Sequence, residues 1–199
     1  KMLLQFSIKN FRTFKDKATL SLIASNYDKD TREDENIYFD ENFGLRLLKS
    51  AVVYGANASG KSKLLDAFAF IRYFVINSSK ESQKGETINV HPFLLSDETE
   101  NEPSEFEIIF LYNKVLYRYG FEATKEKIVS EWLYYKPKTK EVELFYREGN
   151  NFNTHSRSFI KGGTVVKEGL VRDNALLVSV AAQFNEKTAI TVIEWFKRF

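Results

Sequence analysis

Residues 55 to 62 of the 199-residue chain read GANASGKS, and their types and spacing are those of a phosphate-binding loop. A glycine, four residues, a second glycine, a lysine and a serine form the motif that cradles the phosphates of a nucleotide. Gly55 and Gly60 permit backbone conformations and close approaches that a Cβ would forbid. The sequence therefore predicts a nucleotide-binding loop formed by Gly55, Ala56, Asn57, Ala58, Ser59, Gly60, Lys61 and Ser62.

The polar groups of this loop have distinct predicted roles. The backbone amides near residues 58–60 are predicted to form an anion nest. Lys61 is predicted to be catalytic, as a point charge on the β- and γ-phosphates, and Ser62 is predicted to offer its hydroxyl to Mg²⁺, which bound ATP requires. The amide of Asn57 either donates to the γ-phosphate or supports a left-handed turn. ATP and Mg²⁺ are therefore the predicted ligands.

A strand, the loop and a helix must position these groups. The segment LRLLKSAVVY at 45–54 ends in a short β-branched run, which favours a buried central strand. After the loop, apolar residues recur at helical spacing, at Leu64, Leu65, Phe68, Ile71 and Val75. The positive end of that helix would face the phosphates. Lys63 adds charge there and is included in the predicted site, although an outward, solvated lysine is the commoner outcome.

The remaining segments favour antiparallel strands. LLQFSIKNF and ATLSLIA read as one strand pair, and the segment from 104 to 148 reads as four strands with turns at 113–114 and 136–139. We expect a solvated loop over 25–44 and irregular structure around Gly162 and Gly163. Residues 174–185 fit a strand or a helix equally well. The last stretch predicts a helix with one apolar face, formed by Ile190, Ile193, Trp195 and Phe196.

Composition restricts the class of protein. Lys and Arg number 29 against 27 Asp and Glu, so the net charge of +2 leaves nucleic-acid binding possible but unsupported. The chain has no Cys, which excludes disulfides and thiolate zinc sites and suits a reducing compartment. No apolar run approaches the length of a membrane helix, so we expect a cytoplasmic protein with no membrane partner.

The quoted motifs resemble those of a known group of ATPases. Asn57 ahead of Ser59–Ser62, together with IKNFRTFKD near the start, is similar to the head domains of ABC-type ATPases of the SMC, RecF and OLD kind. Five segments of the chain together resemble bacterial AAA/ABC-like ATP-binding proteins, some of which are ATPase subunits of phage-defence systems. These segments are LLKSAVVYGANASGKSKLLDAFAFI, PFLL, SEFEIIF, SEWLYY and NALLVSVAAQFN. The resemblance covers nearly the whole chain.

This resemblance implies a fold, a partner and two further site residues. The implied fold is a mixed α/β head with a mixed β-sheet lobe around the phosphate-loop helix, an antiparallel meander, and a helical lobe that carries a signature motif. Two such heads would sandwich two ATPs as a homodimer. By position, Arg12 would lie near the nucleotide, or would simply pair with an acidic neighbour. Gln183 would be the catalytic and metal-linking glutamine that connects Mg²⁺ and the attacking water to a helical lobe, or else an ordinary surface amide.

ATP hydrolysis also needs an acid pair after an apolar run, in which one acid supports Mg²⁺ and the other polarises water. Asp40–Glu41 precedes the loop and Asp97–Glu98 follows an interrupted run, so we reject both pairs and expect these acids to be solvated turn residues. No signature motif or switch histidine is present either. We therefore interpret residues 1–185 as a β-rich nucleotide-binding lobe and 186–199 as the start of a helical lobe of a longer ATPase. We expect residues 1–199 alone to bind nucleotide but to hydrolyse it poorly.

Three functional hypotheses follow. The first is a Mg-ATP-binding head whose nucleotide-gated dimerisation controls a partner or effector protein. The second is a P-loop kinase or other phosphoryl transferase that acts on a small molecule, which would need an acceptor pocket with an acidic base. The third is a DNA- or protein-binding module that keeps the loop only as a structural element, for which a basic stripe would be expected.

Overall fold

The computed structural model describes residues 1–25, 32–57, 59–81, 83 and 85–198, and one large antiparallel sheet forms its centre. The strands are β1 Met2–Lys9, β2 Ala18–Ser21, β3 Ile37–Asp40, β4 Leu45–Leu48, β5 Ser104–Tyr112, β6 Val115–Ala123, β7 Ile128–Lys136, β8 Val142–Glu148 and β9 Asn151–Thr154. The helices are α1 Glu33–Asn36, α2 Lys61–Glu81, α3 Asp97–Glu100, α4 Ile160–Lys167, α5 Leu177–Gln183 and α6 Lys187–Lys197. The sheet has the strand order β2-β1-β5-β6-β7-β8-β9, and β3 and β4 form a separate hairpin.

Alternating burial explains the strands of the large sheet. In β5, Phe106, Ile108 and Phe110 are fully buried, and the residues between them are only partly buried. The turn to β6 consists of Asn113 and Lys114, whose φ angles of 50° and 62° suit a tight hairpin. The predicted meander is confirmed, as is the predicted antiparallel pairing of β1 with β2.

Helices cover one face of the sheet, and the core lies between the two layers. Helix α2 contributes Ala67, Ile71 and Val75 to this core, all fully buried. Trp195 of α6 stacks on Phe110 of β5 with ring centroids 4.3 Å apart. The predicted mixed α/β fold class, with a loop helix beside an antiparallel meander, is confirmed. The predicted mixed sheet is wrong, because every strand pair of the described residues is antiparallel. Residues 174–185, which periodicity left open, contain helix α5.

The predicted buried strand before the phosphate loop is wrong. Residues 51–56 form no strand, and Val52 and Tyr54 are 71% and 89% exposed. β-branched residues form a buried strand only where a neighbouring strand and a covering layer exist, and no strand of the described residues pairs with this segment. Leu65 in α2, which the periodicity placed on the apolar face, is likewise 68% exposed. The approach to the loop therefore lies at the molecular surface.

Residues 150–169 are more regular than predicted, because they contain β9 and α4. Gly162 lies inside α4, where a Cβ would lie 1.9 Å from the ring of Phe159. Phe159 is the N-cap residue of the same helix and is fully buried, so its ring packs over Gly162 and the glycine is a contact surface rather than a turn. The low helix propensity of glycine is outweighed by this packing.

The predicted solvated loop over 25–44 is also partly wrong. Residues 26–31 lie outside the described residues, but α1 and the β3–β4 hairpin follow them. Asp40 is only 4% exposed, and its Oδ1 accepts a hydrogen bond from the Phe43 N–H at 3.1 Å, so it is a buried turn-forming acid. Glu41 is exposed in that turn, and Asp97 and Glu98 are exposed in α3.

The predicted boundary at residue 185 falls between α5 and α6. Helix α6 packs against α2, where Arg72 Nε donates to the Phe196 carbonyl at 3.0 Å. The division into a nucleotide-binding lobe and a helical lobe remains a prediction. No helix within the described ranges has the length and apolar character needed to cross a membrane.

Candidate functional site

The GANASGKS loop leads directly into α2, and both of its glycines are required by close contacts. A Cβ at Gly55 would lie 2.5 Å from Ser59 Oγ. Gly60 has a φ of +90°, and a Cβ there would lie 3.3 Å from Thr13 Oγ1. Ala58 lies outside the described residues. The loop thus folds tightly on itself and against the turn between β1 and β2.

Lys61 lies on the inner side of this loop. Its Nζ donates to the carbonyl oxygens of Gly55 and Ala56, both at 2.6 Å, and to Ser59 Oγ at 3.2 Å. The ammonium group is therefore held by neutral acceptors without a carboxylate partner among the described residues. An anion that enters the loop can replace these acceptors with a stronger, charge-assisted pair.

The loop encloses one wall of an open cavity of about 430 Å³. The cavity is lined by Thr13, Asn57, Ser59, Gly60, Lys61, Ser62 and Lys63. These residues supply two ammonium groups, hydroxyls, an amide and the positive N-terminal end of a 21-residue helix. No carboxylate is among these lining residues. Such a set of donors suits a polyanion, because a helix N-terminus and nearby cations both favour negative charge.

Ser62, the predicted magnesium ligand, lines this cavity. Ser62 is exposed at the start of α2, where its hydroxyl can serve as one oxygen ligand. The described residues contain no group of three or more His, Cys, Asp or Glu side chains that could hold a metal ion. Mg²⁺ is commonly held through few protein groups together with substrate phosphates and water. A cation here would therefore depend on the phosphates of a bound nucleotide.

The turn between β1 and β2 places Arg12 beside the loop. The backbone N–H of Arg12 donates to the backbone carbonyl of His91 at 2.8 Å. Its side-chain Nη1 lies 3.4 Å from the carboxylate of Asp66. The preceding Asn10 is fully buried, and its side chain donates to the Thr99 carbonyl at 2.8 Å. These contacts fix a turn in which Asn10 and Arg12 both have positive φ. Arg12 thus pairs with an acidic neighbour and also lies close to the loop.

Thr13 is a cavity residue that the sequence reasoning missed. It follows Arg12 in the same turn, and its Oγ1 faces Gly60. Threonine is common in turns, so its type carries no signal for a ligand. Only the packing of the turn against the loop identifies it.

Gln183 lies elsewhere in the structure. It is exposed at the end of α5 and lines a groove with Ile76 and Lys80, toward the far end of α2. Ser62 and Ile76 are 14 positions apart in α2, which is about 21 Å along the helix axis. The structure does not bring Gln183 together with the loop, and its predicted catalytic and metal roles remain predictions. The rejected acid pairs at 40–41 and 97–98 do not line the cavity either.

A buried carboxyl group with a perturbed pKa, that of Glu131, lies in the core, away from the loop. Glu131 in β7 is fully buried, and it accepts hydrogen bonds from the N–H groups of Leu177 at 2.6 Å and Val178 at 3.0 Å. It also accepts from the Tyr119 hydroxyl at 3.0 Å, and Arg147 Nη1 lies 3.8 Å away. Burial raises the pKa of Glu131, against the opposing effect of Arg147. The network attaches the start of α5 to the sheet.

Comparison with known families gives one match. The family model described as "AAA domain, putative AbiEii toxin, Type IV TA system" matches residues 50–179, which is more than half of the chain. The matched range includes the whole GANASGKS loop and α2. The comparison with curated proteins gives no match.

Proposed function

Because the chain belongs to this AAA-domain family and so to the nucleotide-binding ATPases, we propose that it is a Mg-ATP-binding head module whose nucleotide-gated dimerisation controls a partner or effector protein. The observation that carries the proposal is the position of Lys61, an ammonium group held by loop carbonyls at the edge of a cavity without carboxylates. An anionic ligand gains charge-assisted contacts from such a set of donors.

The proposed binding step is an exchange of partners at the loop. Lys61 leaves the carbonyls of Gly55 and Ala56 and pairs with the phosphates, and the amides of Ser59 and Gly60 donate to the phosphate oxygens. Ser62 supplies one ligand to Mg²⁺, which neutralises phosphate charge when it is bound. Asn57 and Thr13 line the same cavity and provide further hydrogen bonds.

Slow turnover is part of the proposal. Hydrolysis requires a group that orients or deprotonates the attacking water, and acids most often fill this role beside a phosphate loop. The cavity lining has no carboxylate. We therefore propose that this chain binds ATP and hydrolyses it slowly, and that faster turnover depends on groups supplied by a second head or a partner. This dependence gives dimerisation a role in control, as in the two-head arrangement that the sequence resemblance implies.

The test is a titration of the chain with a fluorescent ATP analogue and Mg²⁺, alongside Lys61→Ala. We expect saturable binding that Lys61→Ala weakens at least about 100-fold, because a charge-assisted phosphate contact in a preorganised site is lost. Lys80→Ala is the matched control, since it removes a lysine from the far end of the same helix. Phosphate release and sedimentation on the same samples test turnover and dimerisation. Binding that is absent, or equal in both variants, would contradict the proposal.

A further inference from the structure

Asp66 is a carboxylate outside the loop motif, and it lies between two cations at the edge of the cavity. Its Oδ2 lies 3.1 Å from Lys63 Nζ and 3.4 Å from Arg12 Nη1. Lys63 lines the cavity, and Arg12 belongs to the turn that packs Thr13 against Gly60. Asp66 therefore joins this turn to the helix that carries the loop.

These two contacts are the only ion pairs that Arg12 and Lys63 form with the described residues. The three side chains are 36% to 40% exposed, so water weakens both pairs without abolishing them. Arg12 Nε is buried, and it has no hydrogen-bond partner among the described residues. Asp66 is therefore the anion with which an incoming ligand competes for these cations.

Helix geometry places this carboxylate close to the proposed phosphate position. Ser62 and Asp66 are four residues apart in α2, so they lie on the same side of the helix one turn apart, about 6 Å along the axis. A phosphate at the start of α2 carries the same sign of charge as Asp66. The two anions repel each other and compete for the same two cations.

We propose that Asp66 is an internal competitor for nucleotide phosphate: it holds Arg12 and Lys63 while the site is empty and thereby sets the affinity for ATP. The inference rests on the proposed function, since it requires that the loop binds a nucleotide. Asp66 acts through Arg12 and Lys63 and is a positioning residue. When the polyphosphate binds, its oxygens replace the carboxylate as the partner of the guanidinium.

The first test is Asp66→Asn, which keeps the shape of the side chain and removes its charge. We expect the affinity for the fluorescent Mg-ATP analogue to rise about two- to fivefold, the scale of a partly exposed ion pair. The gain should shrink at high salt, which screens exposed charges. Asp66→Glu should stay close to the wild type. Glu81→Gln is the matched control, because it removes one negative charge at the other end of α2 and should change nothing.

The second test separates the route through Arg12 from a general field effect. In an Arg12→Gln background, the part of the gain from Asp66→Asn that is due to Arg12 should disappear, while Lys63 keeps its contact with Asp66. In the nucleotide-free protein, the NMR signal of the Arg12 Nε–H group, identified by its loss in Arg12→Gln, should shift in Asp66→Asn. Unchanged or weaker affinity in Asp66→Asn, or an undiminished gain in the Arg12→Gln background, would overturn the inference. Failure of the wild type to bind the analogue would instead refute the proposed function.

Discussion

At the scale of single residues, Gly60 meets two constraints at once. Its φ of +90° is a conformation that L-residues rarely adopt, and a Cβ would press on the hydroxyl of Thr13 at 3.3 Å. A side chain at this position would strain the loop backbone and push the β1–β2 turn away from it. The orientation of the loop amides therefore depends on this glycine.

We expect Gly60→Ala to lower the affinity for Mg-ATP about tenfold or more, because misplacing one amide loses a hydrogen bond to a charged phosphate worth about 1.5–3 kcal/mol. Gly85→Ala is the matched control, since Gly85 has a φ of +86° in open space. Both variants should lose about 1 kcal/mol of the free energy of unfolding from backbone strain. Gly60→Ala should lose more than Gly85→Ala, because its Cβ also presses on Thr13. Nucleotide titration and urea unfolding of both variants check this, and equal affinities would argue against phosphate binding by the loop backbone.

At the scale of elements, the Glu131 network determines where α5 sits. Two backbone N–H groups at the start of the helix donate to this one buried carboxylate. Arg147 completes the network from the next strand, and its Nη1 also donates to the Ala175 carbonyl at 2.7 Å, just before the helix. This charged, hydrogen-bonded contact therefore adds to the apolar packing of α5, whose Leu177 and Val178 are fully buried in the core.

We expect Glu131→Gln to lower the free energy of unfolding by about 3 kcal/mol, because it leaves Arg147 buried without its counter-charge. Glu122→Gln in the neighbouring strand is the control. Its carboxylate accepts a hydrogen bond from Ser130 and is only partly buried, so we expect a loss below about 1 kcal/mol. Urea unfolding followed by circular dichroism measures both losses. Similar losses in the two variants would show that the buried network contributes no special stability.

The periodicity of apolar residues along the sequence correctly predicted the strands of the meander and helix α2. Alternation identified the meander, and helical spacing identified α2, since both reflect periodic burial along one segment. The exposure of Val52 and Tyr54 could not be predicted, because burial depends on a neighbour that the segment itself does not encode. Thr13 and Asp66 were missed for the same reason. Their significance comes from contacts across more than 40 residues of chain, between the β1–β2 turn and α2.

At the scale of the whole molecule, the large sheet contains several phenol groups that resist ionisation. Burial raises the pKa of Tyr117 to about 12, and burial with a hydrogen bond to Glu143 raises the pKa of Tyr134 to about 12. Burial also raises the pKa of Tyr119, which donates to Glu131. The folded state therefore holds these protons more tightly than the unfolded chain, in which tyrosine ionises near pH 10.

We expect the free energy of unfolding to be unaffected by these groups below about pH 9 and to fall as the pH rises from about 10 toward 12, where only the unfolded state releases the protons. Tyr117→Phe should lose less stability over this range than the wild type. Tyr54→Phe, which alters a side chain that is 89% exposed, should follow the wild type. Urea unfolding at several pH values, with absorbance at 295 nm to follow ionisation, tests this. Parallel pH dependence in all three proteins would contradict it.

The exposed approach to the loop has a consequence for the behaviour of the protein in concentrated solution. Residues 51–54, AVVY, are apolar, rich in β-branched side chains and uncharged, and their backbone is outside every strand of the described residues. Such a segment is a template for pairing between molecules and hence for aggregation. Colloidal stability and folding stability are then separate properties of this chain. The sheet and its buried networks stabilise the fold, whereas we expect the exposed segment 51–54 to favour association between molecules.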